Sequence, residues 1–421
     1  MRQFPDRIAD EIILLTSDVK SVAKDTARRV GIISPESETL DELSHRLNIS
    51  VDEIEPGVVK AIVVTGLRLT VMDAEELDEL IQSYEEIVFA EIKPNQKVLI
   101  VESCKRMRMV VATTGTDILD CPAVEKADIG IGLGLRSCDM CNEAADAILL
   151  NSDFGSFVSG IQEGRVVFDN IQKTICYNLA SNLPEFLPLM LVVTCQIPLP
   201  LGATFILLID LCVSMLPTLS LIYEKQESDI MRRRPIDPYS DRMLDNRIVN
   251  KSLLQIGIPV TLAGLYVYFV VMAENGFMPE DLLGIRNSWN SEAVNDLTDS
   301  FNQEWTYTSR KALEYTCQTA FFMTIVLAQL FDLIMCRSWR DSLQKRGICN
   351  RVMILSVLFE IFLAVILCYV PGMWRILHIY PLKFLWWLPG LPFSVLTLGY
   401  DELRKFLIRH SEENSWLERE T

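Results

Sequence analysis

The chain has 421 residues, half of which are apolar, and a formal net charge of −17 at pH 7. Its mean hydropathy is nonetheless positive, so acidic and apolar residues must be concentrated in different parts of the chain. The acidic balance excludes nucleic acid as a partner, because binding to phosphates requires clustered lysine and arginine. Residues 1–172 are rich in Asp and Glu, whereas residues 173–400 hold long apolar stretches, which predicts a soluble part followed by a membrane part.

In residues 1–172, short runs of β-branched and apolar residues alternate with amphipathic stretches. This alternation predicts an α/β domain with a parallel, doubly wound sheet. The predicted strands are 12–17, 61–66, 87–92, 109–115, 128–134 and 147–151, and the clearest predicted helices are 73–84 and 94–106. Ligands of such sheets bind at the carboxyl ends of the strands, which directs attention to residues 16–18, 93–97 and 114–117.

The cysteine pair and the N-terminal residues give no indication of a metal site or of a signal peptide. The pair Cys138 and Cys141 has no second pair or nearby histidine, so free cytosolic thiols are favoured over a zinc or redox site. The N-terminal residues lack a basic segment followed by an apolar one, which predicts no cleavable signal peptide.

A membrane helix needs about 20 apolar residues, and six stretches meet that requirement. They are 176–196, 200–222, 252–273, 314–335, 352–371 and 382–400. The basic loops 223–251 and 336–351 are predicted to be cytoplasmic, and the acidic loop 274–313 to lie outside. Both termini then lie in the cytoplasm. The alternative, six apolar helices in a large soluble core, is disfavoured because the loop charges alternate in register with the spans.

Several segments resemble one family of membrane pumps. They include TGTDILDCPAVEKADIG (114–130), EGRVVFDNIQK (163–173), YNLASNLPE (177–185), IDLCVSMLPTLSLIYEKQESDIMRRRP (209–235) and AENGFMPEDLLGIR (273–286). These segments resemble P-type ATPases, and sodium/potassium-transporting alpha subunits in particular. The resemblance implies a haloacid-dehalogenase-like phosphorylation domain and stalk over 1–172, six transmembrane helices over 173–402, and a cytoplasmic tail over 403–421. It also implies a plasma-membrane role in ATP-driven sodium export and potassium import.

The catalytic segments of that family are altered in this sequence. The family's magnesium loop reads TGDGxND, whereas residues 114–120 read TGTDILD. Thr116 thus replaces the first acid, Asp120 keeps the last, and Asp117 stands one residue late, where an extended side chain turns to another face. The 421 residues also contain no DKTGT segment, which carries the family's nucleophile. We therefore expect this chain alone to use neither the ATP nor the magnesium that the family uses.

Two further positions match the family's phosphate-binding residues. Thr16, in Thr16-Ser17-Asp18, stands where the family has a TGD segment, and Lys97 matches a lysine that offsets phosphate charge. Without a nucleophile, the simpler interpretation is favoured for both, in which Thr16 ends a strand and Lys97 is a solvated helix residue.

Charged and polar side chains inside the predicted spans indicate an ion site, because burying a carboxylate in a bilayer is costly. Tyr177, Ser181 and Glu185 are spaced to share one helix face. The resemblance implies that the candidates for cation binding are Tyr177, Ser181, Asn182, Glu185, Asp210, Ser214, Gln329, Asp332 and Glu360.

Departures from the family weaken this site. Ser214 and Ile361 stand where the family has acids, and Ala180 replaces a threonine. Losing two carboxylates should weaken the binding of sodium or potassium by orders of magnitude. The favoured interpretation is an inherited polar seam that is solvated or hydrogen-bonded internally, and the alternative is a working ion site.

The predicted outer loop resembles the segment with which the family binds its beta subunit. The candidate contacts are Ser300, Phe301, Gln303 and Trp305. Three hypotheses remain open. The first is a catalytically inactive, truncated paralogue of the pump. The second is a non-catalytic membrane protein that binds a beta subunit or an intact pump. The third is an incomplete gene model.

Overall fold

A computed structural model describes residues 12–34, 37–47, 59–150, 154–231, 233, 236, 242–347, 350–370, 372 and 377–410. The chain divides into two compact units, which are considered separately. The first comprises Met1–Glu163 and Asp229–Asp241, and the second comprises Gly164–Ser228 and Arg242–Thr421. Parts of several predictions lie outside the described residues. These are the tail beyond residue 410, the last residues of the predicted strand 147–151 and of the predicted span 352–371, and portions of the loops 223–251 and 336–351.

The first unit contains parallel strands, as the sequence predicts. They are β1 (Leu14–Leu15), β2 (Ala61–Thr65), β3 (Glu86–Ala90), β4 (Ala112–Gly115), β5 (Ile129–Gly132) and β6 (Ala147–Ile148). They form two three-stranded sheets, in the orders β1-β3-β2 and β4-β5-β6, and all pairings are parallel. All six predicted strands are confirmed, although each is shorter than predicted. In the described residues, the strands form two sheets and not the single sheet that was expected.

Helices separate most of these strands. They are α1 (Lys20–Val30), α2 (Leu40–Leu47), α3 (Gly66–Val71), α4 (Ala74–Ser83), α5 (Pro94–Arg106), α6 (Cys121–Lys126) and α7 (Asp139–Ala144). The predicted helices 73–84 and 94–106 are therefore confirmed as α4 and α5. Helix α4 begins at a capping box in which Asp73 and Glu76 satisfy each other's backbone N–H groups, and α5 begins with Pro94, whose missing N–H suits the first turn.

The sheet β1-β3-β2 is covered on both faces. Ile62 and Val64 of β2 belong to one core cluster with Phe89, whereas the alternate residues Ala61 and Val63 belong to a second cluster. Successive side chains of a strand point to opposite faces, so a strand buried on both sides must be continuously apolar. This explains the run AIVV in β2 and confirms the doubly wound arrangement for this sheet.

The described residues of the second unit are mainly helical, with one short hairpin. Helix α8 (Phe154–Cys195) belongs to this unit from Gly164 onward. The elements that follow are α9 (Ala203–Leu208), α10 (Met215–Ile222), α11 (Asn246–Val249), α12 (Ile258–Glu274), α13 (Arg286–Asn290), β7 (Leu297–Thr298), β8 (Glu304–Trp305), α14 (Tyr307–Cys336), α15 (Leu343–Arg346), α16 (Arg351–Tyr369) and α17 (Leu391–His410). π-Helical turns over Ile209–Val213 and Asn250–Gly257 join α9 to α10 and α11 to α12.

Within the described ranges, four helical stretches are long and apolar enough to cross a membrane. They are Ala203–Ile222, Asn246–Glu274, Tyr307–Cys336 and Arg351–Tyr369, and they match the second to fifth predicted spans. The predicted span 176–196 lies in the 42-residue helix α8, where polar residues lower the mean hydropathy. The predicted span 382–400 is divided between a 3₁₀ turn, Phe384–Trp387, and α17. The count of six spans therefore stays a prediction.

Helices α12 and α14 pack closely in the core of the second unit. A Cβ atom at Gly264 would lie 2.7 Å from the ring of Phe321, so this glycine permits the close approach. Phe205 of α9 packs on Phe322 of α14, with 5.3 Å between their ring centroids. Phe205, Phe321 and Phe322 all belong to the largest buried core cluster of this unit.

A buried ion-pair network joins three segments of the second unit. Glu224 pairs with Arg337 at 2.9 Å and with Arg346 at 3.0 Å. Glu227 pairs with Lys173 of α8 at 2.9 Å. Burial by itself would raise the pKa of Glu224, but Arg337, Asn350 and Arg346 together lower it. The network therefore keeps the Glu224 carboxylate charged and ties the segments that contain Arg337 and α15 to the segment that also contacts α8.

Candidate functional site

The first candidate site lies at the ends of strands in the first unit. Asp120 ends the loop that follows β4, and Lys97 lies in the first half of α5. The Lys97 ammonium contacts Asp120 Oδ1 at 2.6 Å, and both side chains are largely buried. The structure thus brings together two of the predicted residues, and it corrects the expectation that Lys97 is a solvated helix residue.

Both oxygens of Asp120 have donors. Lys97 donates to Oδ1, while the backbone N–H groups of Thr116 and Asp117 donate to Oδ2 at 3.2 and 3.4 Å. Burial acts to raise the pKa of Asp120, but these donors outweigh it and hold the pKa below its usual value. The carboxylate is therefore ionised and engaged with the protein itself.

The remaining residues of this site do not complete a magnesium site. Asp117 is exposed, whereas Asp120 is partly buried. The two carboxylates therefore differ in their exposure to solvent. Thr16 bonds locally, donating to Asp18 Oδ2 at 3.0 Å and accepting from the Asp18 N–H at 3.1 Å. In the described part of the chain, no three His, Cys, Asp or Glu side chains are grouped to hold a metal ion. Magnesium prefers several anionic or water oxygens in octahedral geometry, so these residues do not fit it.

The second candidate site is the polar seam of the membrane helices. Tyr177, Ser181 and Glu185 are buried on one side of α8, as their spacing predicts. Gln329 of α14 donates from Nε2 to Ser181 Oγ at 2.5 Å. Asn182 of α8 is exposed and does not lie on the buried face of that helix. The seam thus joins α8 to α14 through a direct hydrogen bond.

The seam also contains buried acidic residues. Asp332 of α14 and Glu360 of α16 are buried, as is Tyr177 of α8. Several buried oxygens here lack a hydrogen-bond partner among the described residues. They are Tyr177 Oη, Glu185 Oε1, Gln329 Oε1 and both carboxylate oxygens of Glu360. Internal hydrogen bonding therefore accounts for Ser181 and the Gln329 amide nitrogen, but not for these oxygens.

The second predicted span contributes less than expected. Asp210 lies in the π-helical turn Ile209–Val213 and is exposed. The Ser214 hydroxyl donates to the backbone carbonyls of Ile209 and Asp210, each at 3.0 Å, so it is used within its own helix. The structure adds a residue that sequence reasoning missed: Thr218 donates to Asn178 Oδ1 at 2.7 Å. The i, i+4 spacing of Thr218 from Ser214 was the available signal.

The third candidate site is the hairpin of β7 and β8. Asp299 Oδ1 accepts from the N–H groups of Phe301 and Gln303, at 2.9 and 2.8 Å. Asn302 has a positive φ of 60°, a conformation that asparagine tolerates better than most residues. Trp305 packs on Phe277, with ring centroids 5.3 Å apart.

The hairpin turn displays several of the predicted contact residues. Phe301 is 65% exposed, and Gln303 is exposed beside it. Ser300 is exposed as well, although its hydroxyl bonds to Asp281. The hydrogen-bonded turn therefore presents the side chains of Phe301 and Gln303 to the surroundings.

Comparison with known proteins identifies the family. Residues 198–407 match the family model described as "Cation transporting ATPase, C-terminus". The chain is 47% identical, over 99% of its length, to a sodium/potassium-transporting ATPase subunit alpha of Drosophila melanogaster. It belongs to the cation-transporting P-type ATPases. It is also 49% identical over 98% of its length to subunit alpha-4 of Rattus norvegicus, and 47% identical over 99% to subunit alpha-B of Artemia franciscana.

The resemblance found in the sequence is therefore confirmed, and it concerns the C-terminal part of sodium/potassium-transporting ATPase alpha subunits. The chain spans about 40% of the length of these relatives. Membership of this family and four apolar helices together make it a multi-pass membrane protein. The matched residues 198–407 include Gln329, Asp332 and Glu360 of the seam.

Proposed function

We propose that this chain is a pump-related membrane protein that does not transfer phosphate by itself. The observation that supports this most strongly is the state of Asp120, whose carboxylate is ion-paired with Lys97 and capped by two N–H groups. In the loop before it, Thr116 stands where the family has a carboxylate. Lys97 is thus engaged with Asp120, and the loop lacks the carboxylate that would help hold a magnesium ion against a transferred phosphate.

The proposal includes the parts of the architecture that are expected from the family. The first unit is a haloacid-dehalogenase-like domain, and the membrane part has six spans with both termini in the cytoplasm of a plasma-membrane protein. Parallel strands covered on both faces support the first point. The long helix α8, which reaches Cys195 just before the four apolar helices, supports an additional span.

Labelling with ATP tests the proposal directly. The chain would be expressed with a beta subunit, incubated with γ-labelled ATP and magnesium, and quenched in acid. We expect no acid-stable, hydroxylamine-sensitive label at the chain's 47.9 kDa, because the magnesium loop lacks its first carboxylate. An intact alpha subunit run in parallel supplies the positive control. A hydroxylamine-sensitive band at that mass would contradict the proposal.

A second function is favoured by the hairpin of β7 and β8, namely assembly with a beta subunit or an intact pump. The hairpin is held by Asp299 and displays Phe301 outward, and exposed aromatic residues are the usual anchors of protein interfaces. Such assembly needs no phosphoryl transfer. It would allow the chain to compete with intact alpha subunits for a limiting partner.

The third hypothesis, an incomplete gene model, concerns the gene and not the folded chain. Sequencing of full-length transcripts from the 5′ side would show whether the gene encodes a short protein or a longer one of which this sequence is a part. The altered loop at Thr116 would remain in either case, so even a longer chain would need another source of magnesium ligands.

A further inference from the structure

Three thiols converge beside the carboxyl end of β4. Cys121 is the first residue of α6, Cys138 caps the N-terminus of α7, and Cys141 lies within α7. The Cys121 thiol and the Cys138 N–H contact the backbone carbonyls of Asp117 and Thr116, in the loop after β4. The Cys141 N–H donates to Cys138 Sγ at 3.4 Å. The chain separation between Cys121 and the other two concealed this cluster in the sequence.

Access to the three sulfurs differs. Cys141 is fully buried, and its Sγ lies so near β4 that a Cβ atom at Gly115 would approach it to 2.8 Å. Cys121 and Cys138 are only partly buried. A soluble reagent therefore meets Cys121 or Cys138 first, and Cys141 lies behind them as a second thiol.

We propose that this cluster is a redox site, in which Cys138 and Cys141 are oxidised to a disulfide by exchange with a small-molecule disulfide. Vicinal C-x-x-C thiols with one accessible sulfur are the usual arrangement for such exchange. The inference goes beyond the proposed function and does not depend on it.

The exchange balances in two steps. The Cys138 thiolate attacks one sulfur of the small disulfide, breaking its S–S bond and releasing one thiolate. Cys141, as its thiolate, then attacks Sγ of Cys138 in the mixed disulfide and displaces the second thiolate. The protein pair loses two electrons and two protons, and the small disulfide gains them to become two thiols.

Oxidation at this position should be felt by the neighbouring loop. The Cys138 N–H donates to the Thr116 carbonyl at 2.9 Å, and the Cys121 thiol donates to the Asp117 carbonyl at 3.8 Å. Both carbonyls belong to the loop that ends at Asp120. A disulfide that draws Cys138 toward Cys141 would therefore move this loop.

Differential alkylation of the full chain in detergent tests the site. The protein would be equilibrated in mixtures of oxidised and reduced glutathione, acid-quenched, unfolded, alkylated with N-ethylmaleimide, digested and analysed by mass spectrometry. We expect Cys138 and Cys141 to lose their alkyl adducts together as the oxidised fraction rises, while Cys121 stays alkylated. In the oxidised protein, the peptide that contains Cys138 and Cys141 should weigh two hydrogen atoms less than the same peptide with two free, unalkylated thiols.

Single variants separate the possible outcomes. Cys121→Ser and the control Cys104→Ser should keep the paired protection, whereas Cys138→Ser should lose it and leave Cys141 alkylated. Gel filtration checks that each variant is folded, and Cys141→Ser provides a second test if Cys138→Ser is not. Full alkylation of both cysteines at every glutathione ratio would overturn the proposal. So would a disulfide that includes Cys121, glutathione retained on Cys138, or one zinc ion per chain that is lost with Cys138→Ser.

Discussion

At the scale of residues, the contact between Lys97 and Asp120 decides the character of the strand-end site. The residues are 23 positions apart, and the sequence predicted that Asp120 would persist but not that it would be paired. Periodicity places Lys97 on α5 without specifying which neighbour its flexible side chain reaches. A lysine that could meet a phosphate instead neutralises the one carboxylate that the loop retains.

Replacing the lysine should loosen this loop. Lys97→Met leaves a partly buried carboxylate without its partner, which should cost about 1 kcal/mol, between the values for exposed and buried pairs. Hydrogen exchange of the peptide spanning residues 112–132 should accelerate about fivefold at pH 7, since local opening becomes easier by that amount. The exposed pair of Lys60 and Glu85 offers a control, because Lys60→Met should change exchange little.

The same comparison has a defined pH dependence. The pKa of Asp120 is lower in the folded protein than in the unfolded chain, so the pair stabilises the loop above the unfolded value of about 3.9. That contribution is lost as the pH falls through the folded value. Wild type and Lys97→Met should therefore exchange alike at acid pH and differently at neutral pH. Equal exchange rates at pH 7 would show that the ion pair does not hold the loop.

At the scale of elements, strands were predicted well and sheets were not. Each of β1 to β6 comes from a run of β-branched or apolar residues whose local pattern is sufficient to specify extended chain. Which strands pair depends on contacts between distant segments, and the two separate sheets were therefore not foreseen. Helix α8 shows again that local signals can be overridden by the surrounding structure. Proline disfavours the interior of a helix, yet Pro184 and Pro188 lie inside one continuous 42-residue helix.

The loop after β4 should regain magnesium if its ligands are restored. The combined change Thr116→Asp, Asp117→Gly and Leu119→Asn returns the family pattern, and it places a carboxylate at the first position of the loop. Calorimetry on the full chain in detergent should show tighter magnesium binding than in wild type, for which we expect millimolar affinity or weaker. A double variant that keeps Thr116 is the matched control. Micromolar binding by wild type would refute this view of the loop.

The polar seam was foreseen at some positions and not at others. Spacing along one helix correctly placed Tyr177, Ser181 and Glu185 on a buried face. The exposure of Asn182 and Asp210 could not be foreseen, because it depends on how neighbouring helices pack around α8 and the π-helical turn. Among the residues that remain buried, Ser181 joins α8 to α14 through its hydrogen bond with Gln329.

Glu360 provides the test of whether the seam still binds a cation. Both of its carboxylate oxygens are buried without a partner in the described structure, so they are available to potassium. We expect potassium to raise the unfolding temperature of wild type only in the hundred-millimolar range, because Ser214 and Ile361 replace acids. Glu360→Gln should abolish that increment, since binding to the folded state is what stabilises it. Glu280→Gln, at an exposed position, is the control. If potassium raises the unfolding temperature of Glu360→Gln as much as that of wild type, the seam has a purely structural role.

At the scale of the whole molecule, the proposed assembly rests on the hairpin of β7 and β8, which displays Phe301 and Gln303 at the surface. The sequence predicted the exposed contacts Ser300, Phe301 and Gln303, and the turn between them is formed by Asn302, whose φ of 60° asparagine tolerates. The role of Asp299 as the centre of the turn was missed, because its three donors come from residues that only the folded hairpin brings together.

Co-purification tests assembly. Tagged chain and a beta subunit would be co-expressed, extracted in detergent and captured through the tag. We expect the wild-type chain to retain the beta subunit and the triple variant Phe301→Ala, Gln303→Ala and Trp305→Ala to lose most of it, because the exposed ring and its neighbours are removed. Asn287→Ala with Ser288→Ala, at other exposed positions of the same loop, is the matched control. A wild-type chain that survives in the membrane without any beta subunit would defeat the assembly hypothesis.

The buried pairs of Glu224 also bear on how the nascent chain is inserted. The proposed orientation relies on basic residues in the loop 336–351, yet Arg337 is buried against Glu224 and Arg346 is largely buried beside it. Arginines withdrawn from solvent cannot be sensed by the translocon or by anionic lipids. Their topogenic effect must therefore be exerted during synthesis, before the helices assemble. A Glu224→Gln chain should consequently insert in the normal orientation and fail only at the later packing step.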